Sequence, residues 1–161
     1  MSEYHYYEFQ AIDRPLPKSE MADLRSYSTR ALITVTSFVN EYSWGNFKGD
    51  EDAWTEKYFD AFLYFANWGT PIVKLRLPTR LLESGIASQY CGESVSLREK
   101  CGKIILTFTS EEEAGEWVGA EGQLRSLISV RSELARGDLR VGSRDALPPC
   151  RPPRRTRCWR N

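Results

Sequence analysis

The alternation of apolar and polar residues near the amino terminus predicts a β-strand over residues 4–12. Tyr7 and Phe9 fall on one face with a glutamate between them, which is the period of a half-buried strand. Prolines then interrupt the pattern, and apolar residues at helical spacing predict a short helix over residues 19–28. Segment 33–42 is rich in β-branched and aromatic residues, so it predicts either one bent strand or two.

The longest predicted helix covers residues 51–67. Asp50 precedes it as an N-cap residue, and Gly69 followed by Pro71 marks its end because glycine favours the left-handed conformation after a helix and proline cannot continue one. The apolar residues of this segment cover a wider arc than a surface helix needs. We therefore expect a helix that is packed on two sides.

The second half of the chain predicts strands and then a last helix. A strand over residues 73–77 is followed by a hairpin over residues 94–109 that turns at Cys101–Gly102. A final helix is predicted over residues 121–136, with Gly137 as its end. The mixed order of these elements predicts an α+β domain with a mixed or antiparallel sheet of about five strands and three main helices.

A change of composition divides the chain after Leu139, which predicts a globular domain over residues 1–139 and a tail over residues 140–161. The tail contains seven arginines and one aspartate, a net charge of +6, whereas the preceding residues hold 15 basic and 21 acidic side chains, a net charge of −6. An acidic domain argues against a surface for nucleic acid, because neutralising phosphates requires clustered lysine and arginine. Nucleic-acid binding is therefore expected only through the tail.

The tail is rich in arginine and proline and shows no hydrophobic periodicity. Such a segment cannot bury a core, so it is predicted to be disordered. Its amino-acid composition is also typical of the peptide that a GC-rich gene encodes when it is read out of frame. We interpret it as a segment without a selected role, and sequencing the gene across the codons for residues 135–145 would test that interpretation.

Composition places the chain among ordinary globular proteins, since 41% of its residues are hydrophobic and 27% are charged. No apolar run approaches the roughly 20 residues that span a bilayer, and the amino terminus lacks the pattern of a signal peptide; we therefore expect a cytoplasmic protein without membrane contact. The single histidine is His5, and the four cysteines show no CxxC spacing. Neither a metal, a cofactor nor a disulfide framework is predicted.

Two stretches, Tyr7–Leu16 (YEFQAIDRPL) and Ser37–Asp50 (SFVNEYSWGNFKGD), resemble a family of uncharacterised bacterial proteins. The resemblance extends over most of residues 4–139 and implies a bacterial, intracellular protein, without indicating a reaction or a ligand. In that family, segment 136–140 is expected to lead into further apolar sequence. The departure of this chain from that pattern favours a truncated or frameshifted carboxyl terminus.

An aromatic and polar segment from Phe38 to Trp68 is the richest candidate for a site. Tryptophans beside glycines can furnish a flat apolar surface while charged groups orient a ligand. The candidate ligand-binding residues are Asn40, Glu41, Trp44, Lys48, Asp50, Asp60 and Trp68. The competing interpretation is that these rings form the core, which is the commonest use of large aromatic side chains.

The leading functional hypothesis is a non-enzymatic interaction or accessory domain with a protein partner. It depends on the lack of a recognisable catalytic motif, and it leaves enzymatic activity open. The first alternative is a small-molecule-binding protein or enzyme with an aromatic and carboxylate pocket around Trp44 and Trp68. The second is nucleic-acid binding through the basic tail, which predicts an affinity that falls steeply with salt.

Overall fold

The computed structural model describes residues 3–67, 69, 71–92, 94–109 and 123–137. Its strands are β1 (His5–Gln10), β2 (Leu32–Ile33), β3 (Ser37–Tyr42), β4 (Ala61–Ala66), β5 (Ile72–Pro78), β6 (Val95–Lys100) and β7 (Lys103–Thr109). Its α-helices are α1 (Lys18–Tyr27), α2 (Glu51–Lys57), α3 (Ser84–Ala87) and α4 (Gln123–Ala135), and a 3-10 turn follows α3 at Ser88–Tyr90. The predicted α+β class is confirmed.

The strands form one antiparallel sheet in the order β2-β3-β1-β4-β5-β7-β6. This part of the chain therefore holds seven strands where about five were expected. The sheet carries α1 and α2 on one face and α3 and α4 on the other, and each face has its own hydrophobic cluster. Central strands β1, β4 and β5 are consequently buried on both sides.

The prediction of one helix over residues 51–67 is wrong in its second half. Helix α2 ends at Lys57, and the chain turns at Phe59 and Asp60 into strand β4. Strand β4 pairs with β1 on one side and β5 on the other. A strand buried on both faces has a nearly continuous run of apolar residues, and this run produced the wide apolar arc.

Three predictions about where elements begin, turn and end are confirmed. Asp50 caps α2, its carboxylate accepting the N–H groups of Asp52 and Ala53. Segment 33–42 forms two strands, β2 and β3, that pair as a hairpin. Gly137, with φ of 83°, lies two residues beyond the end of α4, as the left-handed conformation at a helix end favours glycine.

The β6–β7 hairpin turns through two residues of positive φ, Cys101 at 52° and Gly102 at 72°. Such a turn has the type I′ pattern, which favours Asn-Gly over other residue pairs. We expect Cys101→Asn to raise the free energy of unfolding by about 0.5–1 kcal/mol, because asparagine tolerates the left-handed region better than cysteine. Urea denaturation checks this result, and Cys101→Val, which is β-branched, should lower the stability instead.

No α-helix within the described ranges is long and apolar enough to cross a membrane. The predicted tail, residues 140–161, lies outside the described residues, as does the predicted helix start at residues 121–122.

Candidate functional site

Three neighbouring strands place a row of phenylalanines across the α1/α2 face of the sheet. Phe38 of β3, Phe9 of β1 and Phe62 of β4 lie side by side in register, and all three are fully buried. The indole of Trp54 from α2 rests on this row, with ring centroids 5.4 Å from Phe9 and 5.0 Å from Phe38. This half of the face is an apolar core.

Two residues closer to the amino end of β1, the same face of the sheet becomes polar. The next row is Asn40, Tyr7 and Tyr64, and the row after it contains Tyr42 and His5. We call His5, Tyr7, Asn40, Tyr42 and Tyr64 the tyrosine–histidine cluster. Asn40 donates to the Tyr42 hydroxyl at 2.7 Å, and the His5 ring nitrogen Nδ1 lies 3.0 Å from the Tyr64 hydroxyl.

The pKa values of the three tyrosines in the cluster lie above their ordinary range. The pKa of Tyr7 is raised to about 12. Burial is the largest cause, Tyr64 and Glu51 act in the same direction, and a hydrogen bond with the Phe47 backbone acts in the opposite direction. Burial also raises the pKa of Tyr42 and Tyr64. At neutral pH these phenols therefore remain protonated and serve as hydrogen-bonding groups.

The raised pKa of Tyr7 predicts a loss of stability in alkaline solution. A phenol whose pKa is about 12 in the folded chain and about 10 in the unfolded chain contributes stability below pH 10. That contribution is lost as the pH rises from 10 through 12. Denaturant titrations between pH 8 and pH 12 should show a shallower alkaline decline for Tyr7→Phe than for the wild type.

The corresponding control is Tyr27→Phe, because Tyr27 is 47% exposed and lies outside the cluster. This variant should follow the wild-type decline. An alkaline limb unchanged by Tyr7→Phe would contradict the assignment of the effect to Tyr7.

The loop of residues 43–49, called the Trp44 loop, passes over the junction between the phenylalanine row and the cluster. Its Phe47 stacks on Tyr7 with ring centroids 5.1 Å apart and packs against Trp54 at 4.7 Å. A Cβ at Gly49 would lie 2.6 Å from the Phe47 ring and 2.9 Å from the Trp54 ring. Glycine is therefore needed there for Phe47 to seat against the core.

Trp44 itself is held outside that core. It is 70% exposed, the highest value among the large hydrophobic residues that the structure describes as exposed. Gly45, which follows it, has φ of 92°, a conformation that glycine adopts without the strain of a side chain. The loop thus presents an indole to solvent while its neighbour Phe47 is anchored.

The structure separates the predicted site residues. Asn40 is buried in the tyrosine–histidine cluster, whereas Glu41 and Lys48 are exposed. Strand alternation directs Glu41 to the opposite face of the sheet from Tyr42. Asp50 serves as the cap of α2, and the predicted site residue Trp68 lies outside the described residues.

Asp60 lies at the other end of the sheet, where it joins four segments. Its carboxylate accepts the backbone N–H groups of Ile12 and Asp13 at 2.7 and 2.9 Å, and it forms an ion pair with Arg76. Arg131 of α4 bonds to Asp13 and to the Arg76 carbonyl. Asp60 therefore does not share a site with Trp44, and its bonds hold the fold together.

The pKa of Asp60 reflects this arrangement. Burial alone would raise the pKa, but hydrogen bonds from the backbone of Asp13 and Ile12 and from Arg76 outweigh it and hold the pKa below the ordinary value. The carboxylate is thus kept ionised by fixed donors. A general base needs a pKa near the working pH, so Asp60 is poorly suited to that role.

The acidic residues of α2 are also paired within the fold. Lys74 of β5 bonds to Asp52 at 2.7 Å and to Glu51 at 3.2 Å, while Arg98 and Lys100 of β6 both reach Glu56. These pairs attach the short helix to the sheet. Among the residues that the structure describes, no group of three or more histidine, cysteine, aspartate or glutamate side chains has a metal-binding arrangement.

Comparison with known proteins does not assign the chain. No family model, curated protein or solved structure matches it. The sequence did not single out His5, Tyr7 and Tyr64 as candidate site residues, because they come together only through the register of β1 and β4.

Proposed function

We propose that the chain is a non-enzymatic interaction domain that binds a protein partner through the Trp44 loop. The observation that carries the proposal is the exposure of Trp44, at 70%, on a loop whose other aromatic residue is anchored in the core. Tryptophan is among the residues most enriched at the energetic centres of protein interfaces.

The loop is fixed on both sides of the indole, which lowers the entropic cost of binding. Before it, Tyr42 accepts a hydrogen bond from Asn40, which also donates to Ser28 at 2.8 Å. After it, Phe47 is stacked on Tyr7, and Asp50 caps α2. An exposed aromatic residue between two anchored segments is already close to the conformation that a partner would bind.

The ionisable groups support a binding role over a catalytic one. The phenols of the cluster have raised pKa values and stay protonated at neutral pH. Asp60 and the acidic residues of α2 are held in ion pairs that link helices, strands and loops. These ion pairs attach the elements of the fold to one another, so the positions of these carboxylates need no substrate to account for them.

The proposal is tested by immobilising the full chain and comparing proteins captured by the wild type, Trp44→Ala and Leu32→Ala. Leu32 is a matched control because it is 66% exposed and lies on β2, away from the loop. A partner bound through the indole should be retained by Leu32→Ala and lost by Trp44→Ala. With purified partner, the loss should be about 30-fold in Kd, corresponding to about 2 kcal/mol.

Capture of the same proteins by all three chains would contradict the proposal. The affinity with a purified partner is the deciding measurement, since an unchanged Kd for Trp44→Ala would exclude the indole from the interface. Circular dichroism and urea denaturation of Trp44→Ala establish that any lost binding does not reflect unfolding.

Small-molecule binding at the tyrosine–histidine cluster is a second candidate function. The favouring observation is the change from the phenylalanine row to a row of Asn40, Tyr7 and Tyr64 on one sheet face. Tyr64 and Tyr42 are half-buried, so their hydroxyl groups can meet a ligand. In this case Tyr64→Phe and Tyr42→Phe would weaken ligand binding, while Trp44→Ala would leave it unchanged.

A further inference from the structure

The two edges of the sheet differ in charge. Edge strand β6 carries Arg98, Glu99 and Lys100, and charged side chains commonly protect an exposed edge from pairing. The other edge strand, β2, lies in segment 31–40, which contains no charged residue, proline or glycine. We infer that β2 pairs antiparallel with β2 of a second copy of the chain, so that the two sheets continue across a two-fold axis.

The backbone of Ile33 supplies the hydrogen bonds for this pairing. The Thr34 N–H donates to the Ser37 carbonyl at 2.8 Å, so it points toward β3. Successive residues of an antiparallel ladder direct their backbone groups to opposite sides, so the N–H and the carbonyl of Ile33 point outward. No turn or loop backbone among the described residues bonds to them. Ile33 therefore presents one donor and one acceptor at the edge of the sheet.

The neighbours of Ile33 fix the register of the pairing. The Ala31 carbonyl already accepts the Arg25 guanidinium at 2.7 Å. On the other side, the Val35 carbonyl accepts the Leu16 N–H at 2.7 Å. Of these three edge residues, Ile33 is thus the one with both backbone groups available to its own copy. A residue that pairs with itself lies on a two-fold axis, and such a contact closes as a dimer.

Leu32 supplies the apolar contact. It is 66% exposed, because α4 packs on β4 and β5 and α3 packs on β6, away from β2. In the two-fold register Leu32 lies opposite Thr34 of the second copy, and the two Leu32 side chains are diagonal neighbours roughly 7–8 Å apart. Val39 pairs with Leu32 on the same face. Dimerisation would therefore cover an apolar strip that the single chain leaves in water.

The β6 edge also has outward backbone groups, but its side chains oppose self-pairing. Val95 exchanges hydrogen bonds with Gly92, on the side away from β7, so alternation directs the groups of Leu97 and Glu99 outward as well. A two-fold axis that pairs Leu97 with Glu99 of a second copy passes through Arg98 and places two guanidinium groups opposite each other. Like charges in that position destabilise a sheet. The comparison favours β2 as the edge that self-associates.

The dimer would carry two Trp44 loops on one continuous sheet. Strand β3 ends at Tyr42, four residues beyond Phe38, which pairs with Ile33. The two-fold axis therefore places the starts of the two loops roughly 30 Å apart. A partner with two sites for the indole would then bind through both loops at once, which raises its overall affinity. The strand pairing itself does not depend on the function proposed for the loop.

Sedimentation equilibrium of the full chain at about 10 μM, about 100 μM and about 1 mM tests the pairing. A small interface with two backbone hydrogen bonds predicts weak, reversible association. The weight-average mass should rise with concentration from 18.5 kDa towards twice that value and no further. A mass that stays at 18.5 kDa throughout would overturn the inference. So would a mass that rises beyond the dimer, because a two-fold contact is closed.

Substitution of Leu32 separates the β2 edge from other exposed apolar residues. Leu32→Lys should weaken the dimer at least about tenfold in Kd, because two ammonium groups replace the apolar contact across the axis. Leu32→Ala, which adds no charge, should lie between Leu32→Lys and the wild type. Circular dichroism establishes that both variants are folded. An unchanged Kd for Leu32→Lys would exclude β2 from the interface.

Ile86→Lys is the matched control, since Ile86 is 47% exposed and lies on α3. Trp44→Ala is a second control, because it removes the other strongly exposed apolar side chain. Both variants should dimerise like the wild type. If either weakens the dimer as much as Leu32→Lys does, the association belongs to another surface and the inference is wrong.

Amide hydrogen exchange identifies the strand that pairs. The Ile33 N–H should exchange more slowly at about 1 mM than at about 50 μM protein, in proportion to the dimer fraction measured by sedimentation. The Leu97 N–H is the internal control, because it also points outward but lies on β6, and its rate should not change. Protection of Leu97 instead of Ile33 would move the contact to β6, and protection of neither would exclude strand pairing. Both results would overturn the inference.

Discussion

Replacing Asp60 by asparagine is expected to lower the free energy of unfolding by about 3–5 kcal/mol, because it leaves a buried charge without its partner. Asp60 is 1% and Arg76 is 7% exposed at their side chains. The carboxylate receives four donors: two from the backbone of Ile12 and Asp13 and two from the Arg76 guanidinium. Asparagine has one acceptor oxygen, so its NH₂ group must face one of these pairs of donors.

The pH dependence gives this prediction a second readout. Because the folded pKa of Asp60 is lowered, its contribution is present above the unfolded value of about 3.9 and is lost as the pH falls through the folded value. The difference in stability between wild type and Asp60→Asn should therefore be largest near neutral pH and should shrink below about pH 4. Denaturant titrations from pH 2.5 to pH 7 measure this difference.

Glu20→Gln is the matched control, since Glu20 pairs with Arg14, which is 46% exposed at its side chain. Exposed ion pairs contribute about 0–1 kcal/mol, so this variant should remain close to the wild type. A loss for Asp60→Asn no larger than for Glu20→Gln would contradict the role of Asp60 in joining the segments. A difference that does not shrink in acid would contradict the assigned charge state.

Local signals in the sequence were sufficient to predict helix ends and turns that depend on a particular residue type. The Asp50 cap, the Cys101–Gly102 turn and the end at Gly137 each depend on one or two residues and their immediate neighbours. The strands of the β6–β7 hairpin also show clear alternation because one of their faces is more exposed. Such features can be predicted without knowing what packs against them.

Strand β4 and the tyrosine–histidine cluster could not be predicted in that way. The apolar run of β4 is compatible with a buried helix or a buried strand, and only pairing with β1 and β5 decides between them. Likewise, Tyr7, Asn40 and Tyr64 are far apart in sequence and meet through strand register. The sequence indicated an aromatic-rich segment, but it did not distinguish the buried rings from the exposed indole of Trp44.

The second large expected effect on stability comes from the buried tryptophan of this segment, Trp54. Trp54→Ala is expected to lower the free energy of unfolding by about 3–5 kcal/mol, the usual cost of truncating a large buried aromatic residue. The indole of Trp54 is 4% exposed and lies within 5.4 Å, centroid to centroid, of Phe9, Phe38 and Phe47. Phe9 and Phe38 are themselves fully buried in the sheet face, so we expect the space left by the indole to remain largely a cavity.

Trp44→Ala is the matched control, because it removes the same side chain from the same segment of sequence. Trp44 is 70% exposed, so its loss should change stability by less than about 0.5 kcal/mol. Should Trp54→Ala fail to fold, Trp54→Phe retains part of the packing and should lie between the wild type and the alanine variant. Equal effects of the two alanine variants in urea denaturation would contradict the division between a core tryptophan and a surface tryptophan. The contrast tests the basis of the proposed function as well, since the Trp44 loop can serve as a contact surface only if its indole is dispensable for folding.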